Sequence, residues 1–69
     1  MKISDFTEIE LEYFRQACNF VGQEKEVFRL RSEGIPLETI AEMLGYTADG
    51  IKKVSRRVNN KIVKVQEQL

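Results

Sequence analysis

The sequence contains no histidine and a single cysteine, Cys18, among its 69 residues. One cysteine cannot form an intramolecular disulfide or a structural zinc cluster, and a chain without histidine lacks the commonest general base. We therefore expect no metal site, no cofactor and no enzymatic activity. A lone thiol fits a reducing compartment, and Cys18 itself is expected to be a small buried residue.

Long hydrophobic runs are also missing. No apolar stretch approaches the roughly 20 residues of a membrane span, and the opening residues MKISDFTEIE contain no apolar h-region. We expect no membrane partner, no signal peptide and a cytoplasmic location. A chain of this length has room for one domain and buries only about 60% of its unfolded surface. Regular helix packing, alone or with dimerisation, must therefore stabilise it.

The chain has no net charge, but its individual segments do. The chain has 11 acidic and 11 basic residues, a formal net charge of zero and a pI near 6.3. Residues 1–26 contribute −3, residues 27–49 contribute −2 and residues 50–69 contribute +5. This asymmetry favours a nucleic-acid partner, and it also allows an acidic half to pack on a basic half within or between chains.

Apolar spacing and capping residues predict an all-α fold of four helices, with no strand pattern, repeat or linker. Helix one is predicted over about Thr7–Cys18. Thr7 with Glu10 has capping-box spacing, and so does Asp5 with Glu8. The apolar residues at helical spacing in this region are Ile3, Phe6, Ile9, Tyr13, Phe14, Ala17 and Phe20.

A short break at Asn19–Gly22 separates helix one from helix two, which is predicted over about Gln23–Glu33. Helix three opens at Pro36, because proline is tolerated where a helix N–H has no partner, and it ends at Gly45. The side chains predicted to face inward from helix two are Val27, Phe28 and Leu30. Those predicted from helix three are Leu37, Ile40, Ala41 and Leu44.

Helix four is predicted over about Ala48–Gln66, with Thr47 as its N-cap. Its apolar residues recur every three or four positions: Ile51, Val54, Val58, Ile62 and Val65. The basic side chains fall on the opposite face, roughly 100° to 240° from the first apolar position. The partner of the terminal apolar residues, including Leu69, is expected to be either helix one of the same chain or a second copy. A homodimer through helix one and the end of helix four therefore stays open.

A helix, a turn of about three residues and a basic helix form the helix-turn-helix arrangement. Gly45 supplies the left-handed conformation that a tight turn needs, and Ala41 is small where the two helices cross. The residues expected to fix the crossing are Ile40, Leu44, Ile51 and Val54. The alternative is a small bundle with a solvated basic face, although such faces mix signs and this one has six bases before its first acid, Glu67.

The segment QEKEVFRLRSEGIPLETIAEMLGYTADGIKKVSRRVNNKI, residues 23–62, resembles region four of bacterial sigma factors and, more loosely, LuxR-type regulators. The matching features are Val27, Leu30-Arg31, Glu33-Gly34, the LETIAEMLG block, the cap at Thr47, Ile51 and the basic helix. The chain also resembles small stand-alone sigma-like proteins of phages and mobile elements. The resemblance implies a single domain over residues 1–69, in which an N-terminal helix and break (1–21) precede a helix-turn-helix unit (22–69).

Three departures from the family pattern matter. Pro36 stands where the family usually has a Ser or Thr cap. Gly50 lies inside the reading helix and costs roughly 1 kcal/mol against Ala; it either permits close approach to the DNA backbone or is simply tolerated. A region that binds the polymerase core is absent, which implies a fragment, an accessory factor or an independent regulator.

The resemblance implies promoter or operator binding by helix four. The predicted DNA-contacting residues are Thr47, Asp49, Gly50, Lys52, Lys53, Arg56, Arg57 and Asn60. Lys53 and Arg56 are predicted to meet guanine edges or phosphates, and Lys52 and Arg57 to meet phosphates.

Thr47 offers a hydroxyl and a backbone N–H to a phosphate at the helix start. Asp49 either accepts from a cytosine amino group or complements the helix dipole. Double-stranded DNA is thus the predicted partner. The alternatives are a protein-interaction module that contacts RNA polymerase or a regulator, and an accessory role in phage DNA packaging or recombination. A steep salt dependence of binding would distinguish DNA recognition from a packing-driven protein contact.

Overall fold

Four α-helices build the fold: α1 (Glu8–Ala17), α2 (Gln23–Ser32), α3 (Leu37–Leu44) and α4 (Ala48–Glu67). The computed structural model describes residues 1–68, and Leu69, which the sequence placed in the apolar tail of helix four, lies outside the described residues. Over residues 1–68 there is no strand, and a single 3₁₀ turn at Ile3–Asp5 precedes α1. The predicted all-α class is confirmed, and the predicted bounds of helices one, two and four differ from the observed ones by one residue at most.

The start of α1 is fixed by a complete capping box. The Glu10 N–H donates to the Thr7 hydroxyl at 3.2 Å, and the Thr7 N–H donates to the Glu10 carboxylate at 2.8 Å. Two N–H groups that the helix cannot pair internally are thereby satisfied. Thr7 with Glu10, rather than Asp5 with Glu8, therefore begins this helix.

The turn between α3 and α4 contains only Gly45, Tyr46 and Thr47. Gly45 has φ 76° and ψ 29°, a left-handed conformation that L side chains rarely adopt. The Tyr46 N–H then donates to the Ala41 carbonyl at 2.8 Å, which closes the end of α3. At the start of α4, the Thr47 hydroxyl accepts the Gly50 N–H at 3.0 Å. The predicted turn and its cap are confirmed.

The longest helix, α4, organises the rest of the molecule. Its 20 residues span about 30 Å, close to the molecule's longest dimension of 34 Å. The other three helices pack against it. Its predicted apolar stripe is buried throughout: Ile51, Val54, Val58, Ile62 and Val65.

The end of α4 is covered within the same chain. Ile62 and Val65 belong to one buried cluster with Phe14 and Cys18 of the α1 region. The Lys61 ammonium donates to the carbonyl of Asn19, just beyond α1, at 3.1 Å. Helix one is therefore the partner of the α4 tail, and covering the described part of that tail requires no second copy.

The apolar residues found at helical spacing in the α1 region are only partly buried: Ile3, Phe14 and Phe20 are buried, but the inward assignment is wrong for Ile9, Tyr13 and Ala17. Ile9 and Tyr13 are 84% and 43% exposed, and Ala17 is exposed as well. The buried residues of this region are Leu11, Phe14 and Cys18. Two apolar stripes run along α1, and the stripe that meets α4 is the buried one. Cys18 is buried, as predicted.

The core combines aliphatic residues from every helix with two aromatic pairs. The ring centroids of Phe6 and Phe14 are 5.0 Å apart, and those of Phe20 and Phe28 are 4.7 Å apart. The remaining buried apolar residues are Ile3, Leu11, Cys18, Val27, Leu30, Ile40, Ala41 and the stripe of α4. Among the described residues no helix has the length and apolarity that crossing a membrane would require.

Candidate nucleic-acid interface

The outer face of α4 presents three cations that the rest of the chain leaves unneutralised. Lys52, Lys53 and Arg56 are exposed and point away from the buried stripe of α4. None of the ion pairs formed within residues 1–68 involves them. Asn60 is also exposed and lies about one turn beyond Arg56 on this face. We call Lys52, Lys53, Arg56 and Asn60 the outer face of α4.

Two polar residues lie at the N-terminal end of this face. The Thr47 hydroxyl is used as the acceptor of the Gly50 N–H, so its own O–H is the group left for an external acceptor. Asp49 is exposed, is the second residue of α4 and forms no ion pair within residues 1–68. A carboxylate in the first turn complements the helix dipole, and its predicted contact with a cytosine stays a prediction.

The presence of glycine at position 50 has a physical explanation that does not involve DNA. A Cβ at this position would lie 3.1 Å from the Thr47 hydroxyl oxygen and 3.3 Å from Cδ1 of the Tyr46 ring. Gly50 is half-buried, so the capping residue and the turn aromatic pack directly over its backbone. The sequence signal for this contact is the aromatic residue Tyr46, four positions before Gly50.

Arg57 lies about one turn beyond Lys53, where the outer face borders an edge that α4 shares with α2. Its Nε is 3.6 Å from the carboxylate of Glu24, although the Arg57 side chain is 61% exposed. Glu24 itself is 6% exposed and accepts from the Lys61 ammonium at 2.5 Å and from the Val21 N–H at 3.2 Å. We call Glu24, Arg57 and Lys61 the acidic edge of α4.

The acidic edge keeps its carboxylate ionised. The hydrogen bond from Lys61 is the largest influence and holds the pKa of Glu24 below its ordinary value of 4.5. The Val21 N–H and the charges of Lys61 and Arg57 act in the same direction, while burial opposes them. Sequence reasoning missed this cluster because Lys61 lies 37 residues from Glu24, and no local spacing joins them.

On the other side of the outer face, α4 is joined to α2 by Arg31, which donates hydrogen bonds to neutral groups and not to a carboxylate. Nη1 of Arg31 donates to Ser55 Oγ at 2.9 Å and to Asn59 Oδ1 at 2.5 Å, and Nη2 donates to the Met1 carbonyl at 3.2 Å. Burial lowers the pKa of Arg31, and within residues 1–68 this guanidinium forms no ion pair. We call Arg31, Ser55 and Asn59 the arginine edge; the sequence analysis did not identify it as a contact.

The predicted site residues thus fall into groups. The outer face and the adjoining Thr47 and Asp49 are exposed and turned to solvent. Gly50 is packed under the turn, and Arg57 stands at the acidic edge. The described residues contain no cluster of three or more Cys, Asp or Glu side chains able to hold a metal ion.

Comparisons of the chain with protein-family models, with curated proteins and with solved structures find no match. The resemblance of residues 23–62 to region four of sigma factors therefore stays a prediction. What the molecule itself offers is a short helix–turn–helix connection and one helix face of unpaired cations.

Proposed function

We propose that this chain binds double-stranded DNA sequence-specifically, through α3, the Gly45–Thr47 turn and the outer face of α4. The observation that carries the proposal is that Lys52, Lys53 and Arg56 are exposed and unpaired. The other basic residues of α4 are Arg57 and Lys61, which approach the Glu24 carboxylate, and Lys64, which is exposed in the last turn. The unpaired cations of the N-terminal half of α4 therefore lie together on one surface.

The charge pattern supports a polyanionic ligand over a merely solvated face. Like charges three or four residues apart on a helix destabilise it slightly, and exposed helix faces usually offset this with acids at the same spacing. Lys52 and Lys53 stand four and three residues before Arg56, and the single acid at such spacing is Asp49, which forms no ion pair within residues 1–68. A DNA backbone removes this repulsion and gains counterion release.

The dimensions of α4 also suit the major groove. A helix with its side chains is about 10–12 Å across, and the groove is about 12 Å wide. Arg56 has the forked guanidinium that pairs bidentately with guanine, and Lys53 is its neighbour on the same face. Lys52 lies toward the arginine edge, and Arg57 stands at the acidic edge, so each would meet a flanking phosphate.

The proposed biological role is transcription regulation in a bacterium, a phage or a mobile element. It rests on the resemblance of residues 23–62 to region four of sigma factors. Two alternative roles would use the same helix α4. One is contact with RNA polymerase, and the other is an accessory role in phage DNA packaging or recombination. Selection of bound fragments from a random DNA pool with the purified chain would supply the recognised sequence and its half-site spacing.

The decisive test is the double variant Lys53→Ala/Arg56→Ala, measured on the selected DNA by gel shift. We expect its affinity to fall about 100-fold or more, because a base contact and a charge are lost together. Circular dichroism should stay unchanged, since both side chains are exposed. The control is Lys2→Ala/Lys25→Ala, which removes the same charge from exposed positions outside α4. Equal losses in the two double variants would contradict the assignment of the outer face.

Salt dependence provides an independent readout. The logarithm of the affinity should fall linearly with the logarithm of salt concentration, and Lys53→Ala/Arg56→Ala should reduce that slope by about two. Affinity that does not change with salt would exclude a phosphate-contacting surface.

A further inference from the structure

A second surface of the molecule, on α1, is apolar and exposed. Ile9 and Tyr13 are 84% and 43% exposed and lie one helical turn apart on α1. Ile9 is roughly 140–200° around the helix axis from the buried residues of this region. Those residues are Leu11, Phe14 and Cys18. Ile9 therefore faces away from the core and from α4, and Tyr13 lies beside it, with its ring against the ring of buried Phe14 at a centroid distance of 5.8 Å.

The surroundings of this pair are acidic. Ile9 and Tyr13 line a shallow hollow of about 400 Å³ together with Glu8, Glu12 and Gln16. Glu12 accepts from Arg15 at 2.7 Å and from Gln16 at 3.1 Å, and these hydrogen bonds lower its pKa. Glu8 is exposed and forms no ion pair within residues 1–68. We call Ile9, Tyr13, Glu8 and Glu12 the α1 patch.

The negative charge around the α1 patch excludes several classes of ligand. Nucleic acid and anionic lipid surfaces are repelled by carboxylates. A second α1 patch would place acids against acids. The outer face of α4 from another copy has the complementary sign, but it offers a single exposed apolar residue, Val63, and it is the surface proposed for DNA. A basic helix with its own row of apolar residues matches the patch in charge and in apolar content.

We propose that the α1 patch is a docking surface for a basic amphipathic helix of another protein. Apolar anchors of that helix, spaced three and four residues apart, would cover Ile9 and Tyr13, and its lysines or arginines would pair with Glu8, the carboxylate of the patch that has no ion pair within residues 1–68. α1 packs on α4 through its Phe14 side, opposite to the patch. The patch therefore stays accessible when DNA occupies the outer face of α4. This simultaneous binding rests on the proposed function.

The test uses the full ¹⁵N-labelled chain and a synthetic leucine–lysine peptide of about 14 residues with helical apolar spacing. We expect chemical-shift changes centred on residues 8–16 and an affinity that weakens as salt rises. A leucine–glutamate peptide of the same pattern tests the sign of the charge, and a lysine–serine peptide tests the need for apolar anchors. Neither control peptide should bind. A footprint elsewhere, or binding of the leucine–glutamate peptide, would overturn the proposal.

Variants distinguish specific binding at the α1 patch from non-specific hydrophobic binding. Ile9→Ser/Tyr13→Ser should weaken the leucine–lysine peptide by about ten-fold or more, because two apolar contacts are lost. The matched control is Val21→Ser/Met43→Ser, which removes side chains that are 56% and 55% exposed elsewhere, and it should bind as the native chain does. Unchanged binding by the α1 variant would contradict the assignment.

Two further measurements fix the identity of the occupant. Sedimentation of the native chain should show a monomer; a dimer that Ile9→Ser/Tyr13→Ser abolishes would replace the proposed partner with a second copy. Peptide binding by Lys53→Ala/Arg56→Ala should equal that of the native chain. That result would hold even if the chain bound no DNA, so failure of the DNA proposal and failure of the α1 patch are distinguishable.

Discussion

Lys53 and Lys61 lie on the same helix, about two turns apart, but their surroundings differ. The Lys61 ammonium donates to Glu24 at 2.5 Å and to the Asn19 carbonyl at 3.1 Å. Lys53 is exposed and forms no ion pair within residues 1–68. One cation holds α4 to α2, and the other is available to a ligand.

The net charge of a segment therefore does not measure how much of its charge is available to a ligand. Residues 50–69 carry six bases, but the buried carboxylate of Glu24 accepts a hydrogen bond from Lys61 and lies 3.6 Å from Arg57. A cation that the fold already pairs adds little to the affinity for an external polyanion. In the N-terminal half of α4, the bases of the outer face are the ones without an ion pair within residues 1–68, so they can be separated experimentally from the acidic edge.

The largest effect on stability is expected when the acidic edge loses its charge. Glu24→Gln keeps the shape of the side chain but removes the carboxylate that Lys61 and Arg57 approach. A hydrogen bond to a charged group contributes about 2 kcal/mol, so we expect unfolding in urea to require about that much less free energy. DNA affinity, measured well below the unfolding midpoint, should not fall, because no outer-face cation is touched.

The control for this change is Glu26→Gln, which removes the partner of Arg29 on the exposed face of α2. Its effect on stability should be clearly smaller than that of Glu24→Gln, since water screens an exposed pair. Equal effects of the two variants would show that burial of Glu24 does not matter.

Acid should reproduce part of the Glu24 effect. Because the folded-state pKa of Glu24 lies below its ordinary value of 4.5, the contribution is fully present above that value. It is lost as pH falls through the folded pKa. We expect the urea midpoint to drop between pH 6 and pH 3, and to drop less in Glu24→Gln. Parallel pH profiles for the two proteins would exclude Glu24 as a source of the acid sensitivity.

A smaller effect, of opposite sign, is expected at the arginine edge. Asn59→Asp places a carboxylate on the half-buried guanidinium of Arg31, whose Nη1 is 2.5 Å from Asn59 Oδ1. We expect a gain of about 1 kcal/mol in the free energy of unfolding. Asn60→Asp is the matched control, one residue further along and on the outer face, where no such gain is expected.

The same two substitutions also distinguish the arginine edge from the outer face in DNA binding. Asn60→Asp adds a negative charge within the outer face and should weaken DNA binding more than Asn59→Asp does. A larger loss of affinity in Asn59→Asp would move the DNA surface toward the arginine edge.

The smallest effect is expected at Gly50. Alanine improves helix propensity by roughly 1 kcal/mol, but its Cβ would stand 3.1 Å from the Thr47 hydroxyl oxygen and 3.3 Å from the Tyr46 ring. We expect these opposing effects to leave Gly50→Ala slightly less stable than the native chain, by under about 1 kcal/mol. Thermal unfolding measures this difference in stability. A clear stabilisation would mean that Thr47 and Tyr46 move away from the added Cβ at little energetic cost.

Much of the fold could be predicted because its signals are local. The apolar stripe of α4 repeats every three or four residues, and the caps at Thr7 and Thr47 stand directly before their helices. The inner face of α1 could not be predicted by periodicity, because Ile9 and Tyr13 form a second stripe as regular as the buried one. The choice between the stripes depends on the distant residues Ile62 and Val65, which cover only one of them.

The candidate site was predictable in position but not in internal organisation. The basic residues of α4 follow directly from the sequence, and so does their separation from the apolar stripe. That Arg57 faces a buried carboxylate depends on Glu24, 33 residues earlier, and the role of Arg31 depends on residues 24 and 28 positions away. Such pairings are fixed by how α2 crosses α4, which a single sequence does not specify.

The two tyrosines have a consequence for spectroscopy. The chain has no tryptophan, and its two tyrosines are Tyr13 and Tyr46. Tyr13 stands on the α1 patch, and Tyr46 packs over Gly50 at the start of α4. With Tyr13→Phe or Tyr46→Phe, each chain has a single intrinsic fluorophore. Ultraviolet emission alone would then report which of the two surfaces a ligand occupies, without any attached dye.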